Sequence, residues 1–303
     1  YGLYQDYDGK RQFLTALGRD IEDMKTIVES YGLTVDTLYM GGGTPTVLGD
    51  EDFHQVLKQL SILVPEGHEF TVEAGRPDSV NPVKLRSMLE LGVNRISINP
   101  QTMQDDILRR IGRGHSARDI DELLQYVKHN TSLAVNMDFI AGLPNQTMQN
   151  MIENMDYVCQ NLPENVTIHT LALKRGSPLY DLNMQDDIPE EHLVADMIQY
   201  GKERLEAAGY VPYYLYRQQY MRGQLENIGY TLPGKACEYN IQIMEERQSI
   251  LSMGPGGSSK WMRAPEYRQF KQHMPKDVDV YHATIDALLE KRHRICEKFW
   301  EVV

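Results

Sequence analysis

The sequence predicts an α/β protein, a partial (β/α)6, TIM-like barrel followed by a smaller C-terminal α+β subdomain. Short apolar runs alternate with amphipathic stretches of helical spacing between residues 35 and 173, where five strand-like runs are visible. The chain has 303 residues and 41% hydrophobic content, enough for one large core or for a barrel with an appended domain. Serial β-α units at this spacing imply a parallel sheet with functional groups at the carboxyl ends of its strands.

The first predicted element is a helix, because Phe13, Leu14, Leu17 and Ile21 recur at helical spacing and no strand comes before them. The barrel is therefore expected to lack its first strand. The remaining spacing predicts strands at 35–40, 69–74, 94–98, 132–139 and 166–173, and helices at 50–63, 82–91, 103–111, 116–129 and 147–161.

The character of the sequence changes beyond Pro178. An acidic linker precedes a helix predicted at about 190–208, and an extended, tyrosine-rich segment follows. A last helix is predicted at 281–302, where apolar residues share one face for packing. We place the partial barrel at residues 1–178 and a C-terminal, substrate-covering subdomain at residues 179–303.

Charge and hydropathy exclude several classes of protein. The net charge is −12, from 43 acidic and 31 basic residues, which disfavours a duplex nucleic-acid binder with a broad basic face. No apolar run reaches the roughly 18 residues that a membrane-spanning helix needs, and no signal-peptide pattern is visible. We therefore expect a soluble, cytoplasmic protein.

The three cysteines, Cys159, Cys237 and Cys296, lie far apart and form no C-x-x-C pair. Neither a disulfide framework nor a metal knuckle is indicated, and reduced, mainly buried thiols are the simplest interpretation. The nine histidines show no zinc-site spacing either. The sequence predicts no metal site within this chain.

A glycine-rich segment at 41–46 (GGGTPT) directly follows the first predicted strand. Three glycines remove every Cβ from the strand exit, so a small charged ligand can approach main-chain N–H and C=O groups closely. The segment is neither a Walker loop nor a G-x-G-x-x-G fingerprint, so nucleotide-phosphate binding of those kinds is not supported. The alternative is a tight strand-to-helix turn.

Carboxylates stand at the ends of two other predicted strands, Glu73 after the second and Asp138 after the fourth. In a parallel barrel both would point into the shared mouth, where they can accept hydrogen bonds from ribose hydroxyls or an ammonium group. The alternative for either is a solvated or capping carboxylate. Two such acids beside a triple glycine favour ligand binding.

Gln101 and Arg113 follow the third predicted strand, separated by one short helix. A β-loop-helix-loop excursion of this length folds back over the barrel top, so both are candidates for the same mouth. The alternative is that Arg113 and His115 form a solvated basic corner with Arg109 and Arg110. Spacing alone does not separate the two interpretations.

Aromatic and basic residues are concentrated in the C-terminal part: Tyr213, Tyr214 and Tyr216, with Arg217, Arg222 and Lys260. A flat aromatic surface with cations nearby fits a large planar anion such as a tetrapyrrole carboxylate. The alternative is an aromatic strand packed on the barrel with snorkelling basic groups. The glycine-rich segment at 254–260 either closes over a ligand or simply turns.

Six segments carry a family resemblance: GGGTPT at 41–46, TVEA at 71–74, GVNRISINPQ at 92–101, IGRGH at 111–115, MDFIAGLPNQT at 137–147 and CEYN at 237–240. In this order they resemble the oxygen-independent coproporphyrinogen III oxidases, or coproporphyrinogen dehydrogenases, of the radical S-adenosylmethionine (SAM) superfamily. The resemblance implies that the predicted barrel is a partial radical SAM barrel.

The resemblance also implies a set of contacts to SAM, or to a second copy of it: Gly42, Gly43, Thr44, Glu73, Gln101, Arg113, Asp138 and Ala172. In that family a reduced [4Fe-4S] cluster donates an electron to the sulfonium, and the 5′-deoxyadenosyl radical that forms abstracts hydrogen from a propionate side chain. Oxidative decarboxylation to vinyl groups then yields protoporphyrinogen IX. The expected partners are a tetrapyrrole substrate and a flavodoxin or ferredoxin electron donor.

Two departures from the family qualify this expectation. The family's C-x-x-x-C-x-x-C cluster motif precedes a helix like the first one here, so we expect the cluster cysteines upstream of Tyr1 and the chain alone to bind the cofactor poorly and be inactive. An extra residue separates Glu73 from Pro77, which indicates a subgroup with an open substrate identity. The alternatives are a haem-binding chaperone and an anaerobic haem-modifying radical SAM relative.

Overall fold

A computed structural model describes residues 7–172, 187–216, 226–263 and 268–300. The chain forms two compact units. We call them the helical unit, which contains Tyr1–Leu38, Glu51–His68 and Glu245–Val303, and the sheet unit, which contains Tyr39–Asp50 and Glu69–Met244. The predicted domain boundary near residue 178 falls outside the described residues and stays a prediction.

A seven-stranded sheet carries the sheet unit, and the five predicted strands are its first five. The strands are β1 (Thr37–Met40), β2 (Glu69–Glu73), β3 (Arg95–Gln101), β4 (Ala134–Ala141), β5 (Asn165–Thr170), β6 (Val211–Tyr216) and β7 (Asn227–Thr231), in the spatial order β1-β2-β3-β4-β5-β7-β6. Strands β2 to β5 pair in parallel, whereas β7 runs antiparallel to both β5 and β6. The predicted α/β fold class is confirmed.

Helices connect these strands as the apolar spacing predicts. They are α1 (Tyr7–Ser30), α2 (Asp50–Ser61), α3 (Pro82–Glu90), α4 (Asp105–Arg110), α5 (Ala117–Asn130), α6 (Met148–Asn161), α7 (Glu191–Ala207), α8 (Glu238–Glu245), α9 (Val278–Ala283) and α10 (Ile285–Trp300). Capping boxes at Ser116 and Thr147 satisfy the first N–H groups of α5 and α6. None of the helices in the described ranges is long and apolar enough to cross a membrane.

The C-terminal part differs in detail from its prediction. The single helix expected at 281–302 is two helices, because the backbone leaves helical geometry at Thr284, where φ is −113° and ψ is 10°. The segment at 254–260 leads into a hairpin of β8 (Ser258–Arg263) and β9 (Arg268–His273). Main-chain hydrogen bonds join Ile250 to Lys260 in an antiparallel bridge, so the chain reverses direction between these two residues.

In the helical unit, α1 and α10 share a buried ion cluster. The fully buried guanidinium of Arg292 lies 2.6 Å from Asp20 and 2.9 Å from Asp23. Cys296, one turn further along α10, packs in the core with Ile27 and Trp261. Charge pairing allows Arg292 to be buried.

The parallel strands are amphipathic across the sheet. Alternate residues Phe70, Val72, Ile96, Val135 and Met137 are almost completely buried. The residues between them form a second set, which we call the polar face: Glu69, Thr71, Glu73, Arg95, Ser97, Asn136, Asp138, Asn165, Thr167 and His169. Parallel strands that are buried on both faces are normally apolar on both, so a polar second face indicates a ligand-binding interior.

Candidate functional site

The glycine loop follows β1, as the sequence predicts. Gly42 and Gly43 adopt left-handed backbone conformations, with φ of 82° and 53°, and a Cβ added at either would have no atom within 4 Å. At Gly41 an added Cβ would lie 2.5 Å from the ring of Tyr39 and 3.0 Å from the carboxyl carbon of Glu73. The loop therefore leaves open space beside its main chain and packs tightly against Glu73.

Glu73 ends β2 and is held by the strand beside it. Its Oε1 accepts a 2.6 Å hydrogen bond from the Tyr39 hydroxyl, and its Oε2 accepts a 3.3 Å bond from the Gly42 main-chain N–H. The Tyr39 ring stacks on Tyr239, with ring centroids 4.3 Å apart. Burial raises the pKa of Glu73, Asp138 raises it further, and the two hydrogen bonds oppose that rise.

Asp138 lies in the interior of β4, not at the strand end where the sequence predicts it, because β4 continues to Ala141. Its register partner on β5 is Thr167. No donor among the described residues forms a hydrogen bond to its carboxylate, and its one ion-pair neighbour there is His169 Nε2, 3.8 Å from Oδ1. The negative charge of Asp138 contributes to the raised pKa values of Glu73 and Tyr39, although burial is the larger cause in both. Glu73 and Asp138 thus share one electronegative region of the polar face.

Gln101 is the last residue of β3 instead of following the strand as predicted, and Arg113 lies beyond α4. Gln101 has a φ of 69°, rare for a residue other than glycine, at the irregular end of the β3–β4 pairing. Arg113 donates a 3.2 Å hydrogen bond to the Gly75 carbonyl, just after β2, and no carboxylate in the described ranges lies within ion-pair distance of it. Burial and the nearby Arg76 lower its pKa. Ala172 is half-buried in the segment after β5.

Lys84, on α3, holds the end of the glycine-rich segment through a main-chain hydrogen bond. Its ammonium group donates hydrogen bonds of 2.6 Å to the Thr46 carbonyl and 2.9 Å to the Ser79 carbonyl. The hydroxyl groups of Thr46 and Ser79 also lie 2.6 Å apart. Lys84 therefore joins the turn after β1 to the turn after β2, the two segments that flank Glu73.

The hydroxyl groups of two β6 tyrosines form hydrogen bonds with side chains of the polar face. Tyr214 bonds to Thr167 at 2.9 Å, and Tyr216 bonds to His169 Nδ1 at 3.0 Å. The rings of Tyr214 and Tyr216 are stacked, 6.3 Å apart and inclined by 13°. The strand therefore presents aromatic rings beside the polar face.

One of the three basic residues predicted beside these tyrosines, Lys260, lies within the described residues. Arg217 and Arg222 lie outside the described residues. Lys260 belongs to the helical unit, on β8, where its ammonium group lies 2.5 Å from Glu246. A substrate role for these three residues stays a prediction.

The CEYN segment has a structural role at the other end of the polar face. Glu69 accepts hydrogen bonds from the Cys237 thiol and from the main-chain N–H groups of Glu238 and Tyr239. Its carboxylate also lies 3.3 Å from Arg95, whose guanidinium bonds to the side chains of Asn136 and Asn165. This buried hydrogen-bond network pairs polar groups of the polar face on the side away from Glu73 and Asp138.

The cysteines do not fit an iron-sulfur cluster. Cys237 bonds to Glu69, Cys296 lies in the core of the helical unit, and Cys159 on α6 points to the Arg204 carbonyl. No group of three or more His, Cys, Asp or Glu side chains that could hold a metal exists in the described part of the chain. SAM fits these residues better, because Glu73 beside the open glycine loop and Arg113 offer the two opposite charges that its methionine end requires.

Three residues of the site were missed from the sequence: Tyr39, His169 and Lys84. Alternation would have found His169, which lies on the polar face, and Tyr39, which follows the buried Leu38 on β1. Lys84 has no comparable local signal, because its role depends on which loops come together. Tyr239 lies within the CEYN motif, but its stacking on Tyr39 depends on the tertiary structure.

The chain is similar to a known protein family and to several known proteins. The profile of the radical SAM superfamily matches residues 9–158. The chain is 32% identical over 292 residues to the oxygen-independent coproporphyrinogen-III oxidase-like protein HemZ of Bacillus subtilis (strain 168), covering 95% of this chain and 58% of HemZ. It is 28% identical over 203 residues to the heme chaperone HemW of the same organism, covering 65% of this chain and 53% of HemW.

The fold is similar to that of the coproporphyrinogen III oxidase HemN from Escherichia coli, which is described as a radical SAM enzyme. The TM-score is 0.73 at 20% sequence identity, and the match covers 94% of this chain and 64% of HemN. The chain spans somewhat more than half the length of HemZ and HemW. From the matching profile and the HemZ relationship, this chain belongs to the radical SAM superfamily.

Proposed function

We propose that the polar face binds SAM, and that the chain belongs to an oxygen-independent enzyme that decarboxylates the propionates of coproporphyrinogen III. The observation that carries the first part is the charge arrangement. Glu73 and Asp138 lie together beside an open glycine loop, and Arg113 has no carboxylate partner among the described residues. This arrangement fits a ligand with a sulfonium, an ammonium and a carboxylate group.

Each predicted contact then has a physical task. Main-chain groups of Gly42, Gly43 and Thr44 receive the methionine end, and Glu73 accepts from its ammonium group. Arg113 pairs with its carboxylate, while Asp138, Gln101 and the main chain at Ala172 contact the nucleoside. When bound and reduced, SAM supplies a 5′-deoxyadenosyl radical to chemistry of this kind. The described cysteines fit no cluster, so these residues bind and orient and the reducing centre lies outside them.

The porphyrinogen part of the proposal is supported by what the relatives are named for. HemZ is named as coproporphyrinogen-III oxidase-like, and HemN is a coproporphyrinogen III oxidase. We propose a tetrapyrrole substrate, a flavodoxin or ferredoxin as electron donor, and a location in the cytoplasm.

Cofactor binding is tested by ligand-observed NMR, which measures weak complexes of the chain without requiring turnover. We expect SAM to bind more tightly than S-adenosylhomocysteine, which lacks the sulfonium charge. Asp138→Asn should reduce this preference on the order of tenfold, because it removes one partly screened negative charge. Asp156→Asn is the control, since Asp156 lies on α6 and forms a surface ion pair with Arg204 of α7. Equal binding of both ligands by the unaltered chain would contradict the proposal.

A second candidate, haem binding without turnover, is favoured by the stacked tyrosines of β6 and by the HemW relationship. Titration with haemin and with coproporphyrin III, followed by the shift of the porphyrin absorption band, separates the two candidates. Stoichiometric binding of haemin alone supports the carrier. Binding of coproporphyrin III, lost when its carboxylates are esterified, supports the oxidase.

A further inference from the structure

Arg76 lies in the segment where one extra residue separates Glu73 from Pro77, and it has no part in the SAM contacts proposed above. Its side chain is 38% exposed. Nε and Nη2 donate hydrogen bonds of 3.1 Å and 2.7 Å to the two carboxylate oxygens of Asp78. A guanidinium group carries five N–H donors, so this pair leaves the edge formed by Nη1 and Nη2 for a second acceptor.

Arg76 also lies against the segment that carries Arg113. Its Nη2 would be 3.9 Å from a Cβ added at Gly114, and Nη1 of Arg113 donates a 3.2 Å hydrogen bond to the Gly75 carbonyl. The loop after β2 and the loop after α4 therefore interlock, and two guanidinium groups come close together. Burial lowers the pKa of Arg113, and the charge of Arg76 lowers it further. Holding two like charges side by side costs free energy, which a bound anion offsets.

The charges around these two arginines favour anions. Asp78 is the one carboxylate in the described part of the chain that forms an ion pair with either guanidinium group. His115, in the same loop as Arg113, is almost completely buried, and neither of its ring nitrogens has a hydrogen-bond partner among the described residues. Burial lowers its pKa, so it is neutral at pH 7 and does not change this balance. The two guanidinium groups can therefore receive one external carboxylate each.

The ligand of Arg76 follows from its exposure. In the proposed function the half-buried Arg113 pairs with the carboxylate of SAM, which leaves Arg76 for a group that approaches from solvent. A carboxylate fits, because its two oxygens match the spacing of the Nη1–Nη2 edge. We propose that Arg76 binds a propionate carboxylate of the tetrapyrrole substrate and so contributes to substrate selection. This inference rests on the proposed function.

Titration of the full chain with coproporphyrin III, followed by the shift of its absorption band, tests the contact. Arg76→Gln should weaken binding about tenfold, the effect of one charge-assisted contact at a partly exposed site. Arg76→Lys keeps the charge but lacks the planar fork, and it should restore part of the affinity. The tetramethyl ester of coproporphyrin III should not distinguish Arg76→Gln from the unaltered chain. Arg118→Gln, which breaks an exposed ion pair with Glu122 on α5, is the matched control and should bind coproporphyrin III normally.

Asp78→Asn separates a substrate contact from a purely structural role of Arg76. The amide oxygen still accepts a hydrogen bond from Arg76, while a competing negative charge is lost. Binding of coproporphyrin III should therefore become about threefold tighter. If the ion pair only held the loop in place, this variant would weaken binding, as Arg76→Gln does.

The inference is overturned if Arg76→Gln binds coproporphyrin III as tightly as the unaltered chain, or if Asp78→Asn binds it more weakly. Either result leaves the proposed function intact. If the unaltered chain does not bind coproporphyrin III at all, the substrate part of the proposed function fails, and this inference fails with it.

Discussion

The hydroxyl of Tyr39 donates a 2.6 Å hydrogen bond to Glu73, 34 residues further along the chain and on the adjacent strand. This bond favours the charged form of a carboxylate whose burial favours the neutral form. The balance between the two effects sets the protonation state of the acid beside the glycine loop. It also makes the site sensitive to single-atom changes.

Tyr39→Phe removes this bond and should raise the pKa of Glu73 further. If the carboxylate receives the ammonium group of SAM, the acidic limb of the binding curve then moves to higher pH. SAM titrations between pH 4 and pH 8 measure the shift. Tyr157→Phe, which loses a hydroxyl bond to Asp121 on the surface helices, should leave the curve in place.

Glu73→Gln should weaken SAM binding by about tenfold or more, because a charge-assisted bond is lost. It should also stabilise the fold. With its folded pKa raised, Glu73 costs stability as pH rises through the window between its ordinary pKa and the raised one. We expect the variant to melt above the unaltered chain at pH 8, with a smaller difference at pH 4. A lower melting temperature at pH 8 contradicts this assignment.

Gly42→Ala and Gly92→Ala form a matched pair, since both glycines have φ above 80° and open space at the Cβ position. Each substitution should cost about 1–2 kcal/mol of stability through the left-handed backbone alone. Only Gly42→Ala should also lower the affinity for SAM. Urea unfolding and the SAM titration measure the two effects separately, and a similar loss of binding in both variants would argue against a ligand at the loop.

Lys84→Met leaves the carbonyls of Thr46 and Ser79 without their buried donor. The expected loss is about 1–3 kcal/mol for each carbonyl that water does not reach. SAM binding should fall as well, because the turns after β1 and β2 lose their connection. Urea unfolding checks the stability, and Lys58→Met, exposed on α2, is the control.

The Cys237 thiol should resist alkylation in the folded chain. Burial and the neighbouring Glu69 raise its pKa to about 12, so almost no thiolate is present at pH 8. Mass-spectrometric labelling with iodoacetamide should modify Cys237 only after urea unfolding. Arg95→Met should make it reactive at lower urea, since breaking a buried ion pair leaves Glu69 uncompensated and costs about 3–5 kcal/mol.

Much of the architecture could be predicted from local pattern. The first five strands, their helices and the presence of Glu73 and Asp138 on two of those strands follow from apolar periodicity, which burial imposes directly on each segment. The division into two helices at 278–300 and the hairpin of β8 and β9 were not predicted from the sequence, since short elements carry little periodic signal. The CEYN segment was found as a motif, but its bonds to Glu69 follow from contacts across the sheet.

The sequence by itself determined the α/β class, the superfamily resemblance and the presence of Glu73 and Asp138 on strands of the sheet, because each depends on spacing along the chain. Only the tertiary structure decided which groups meet. Tyr39 bonds to Glu73, Lys84 joins Thr46 to Ser79, and His169 faces Asp138. These relationships depend on strand order and register, and a register shift of one residue would turn every polar-face side chain toward the opposite face.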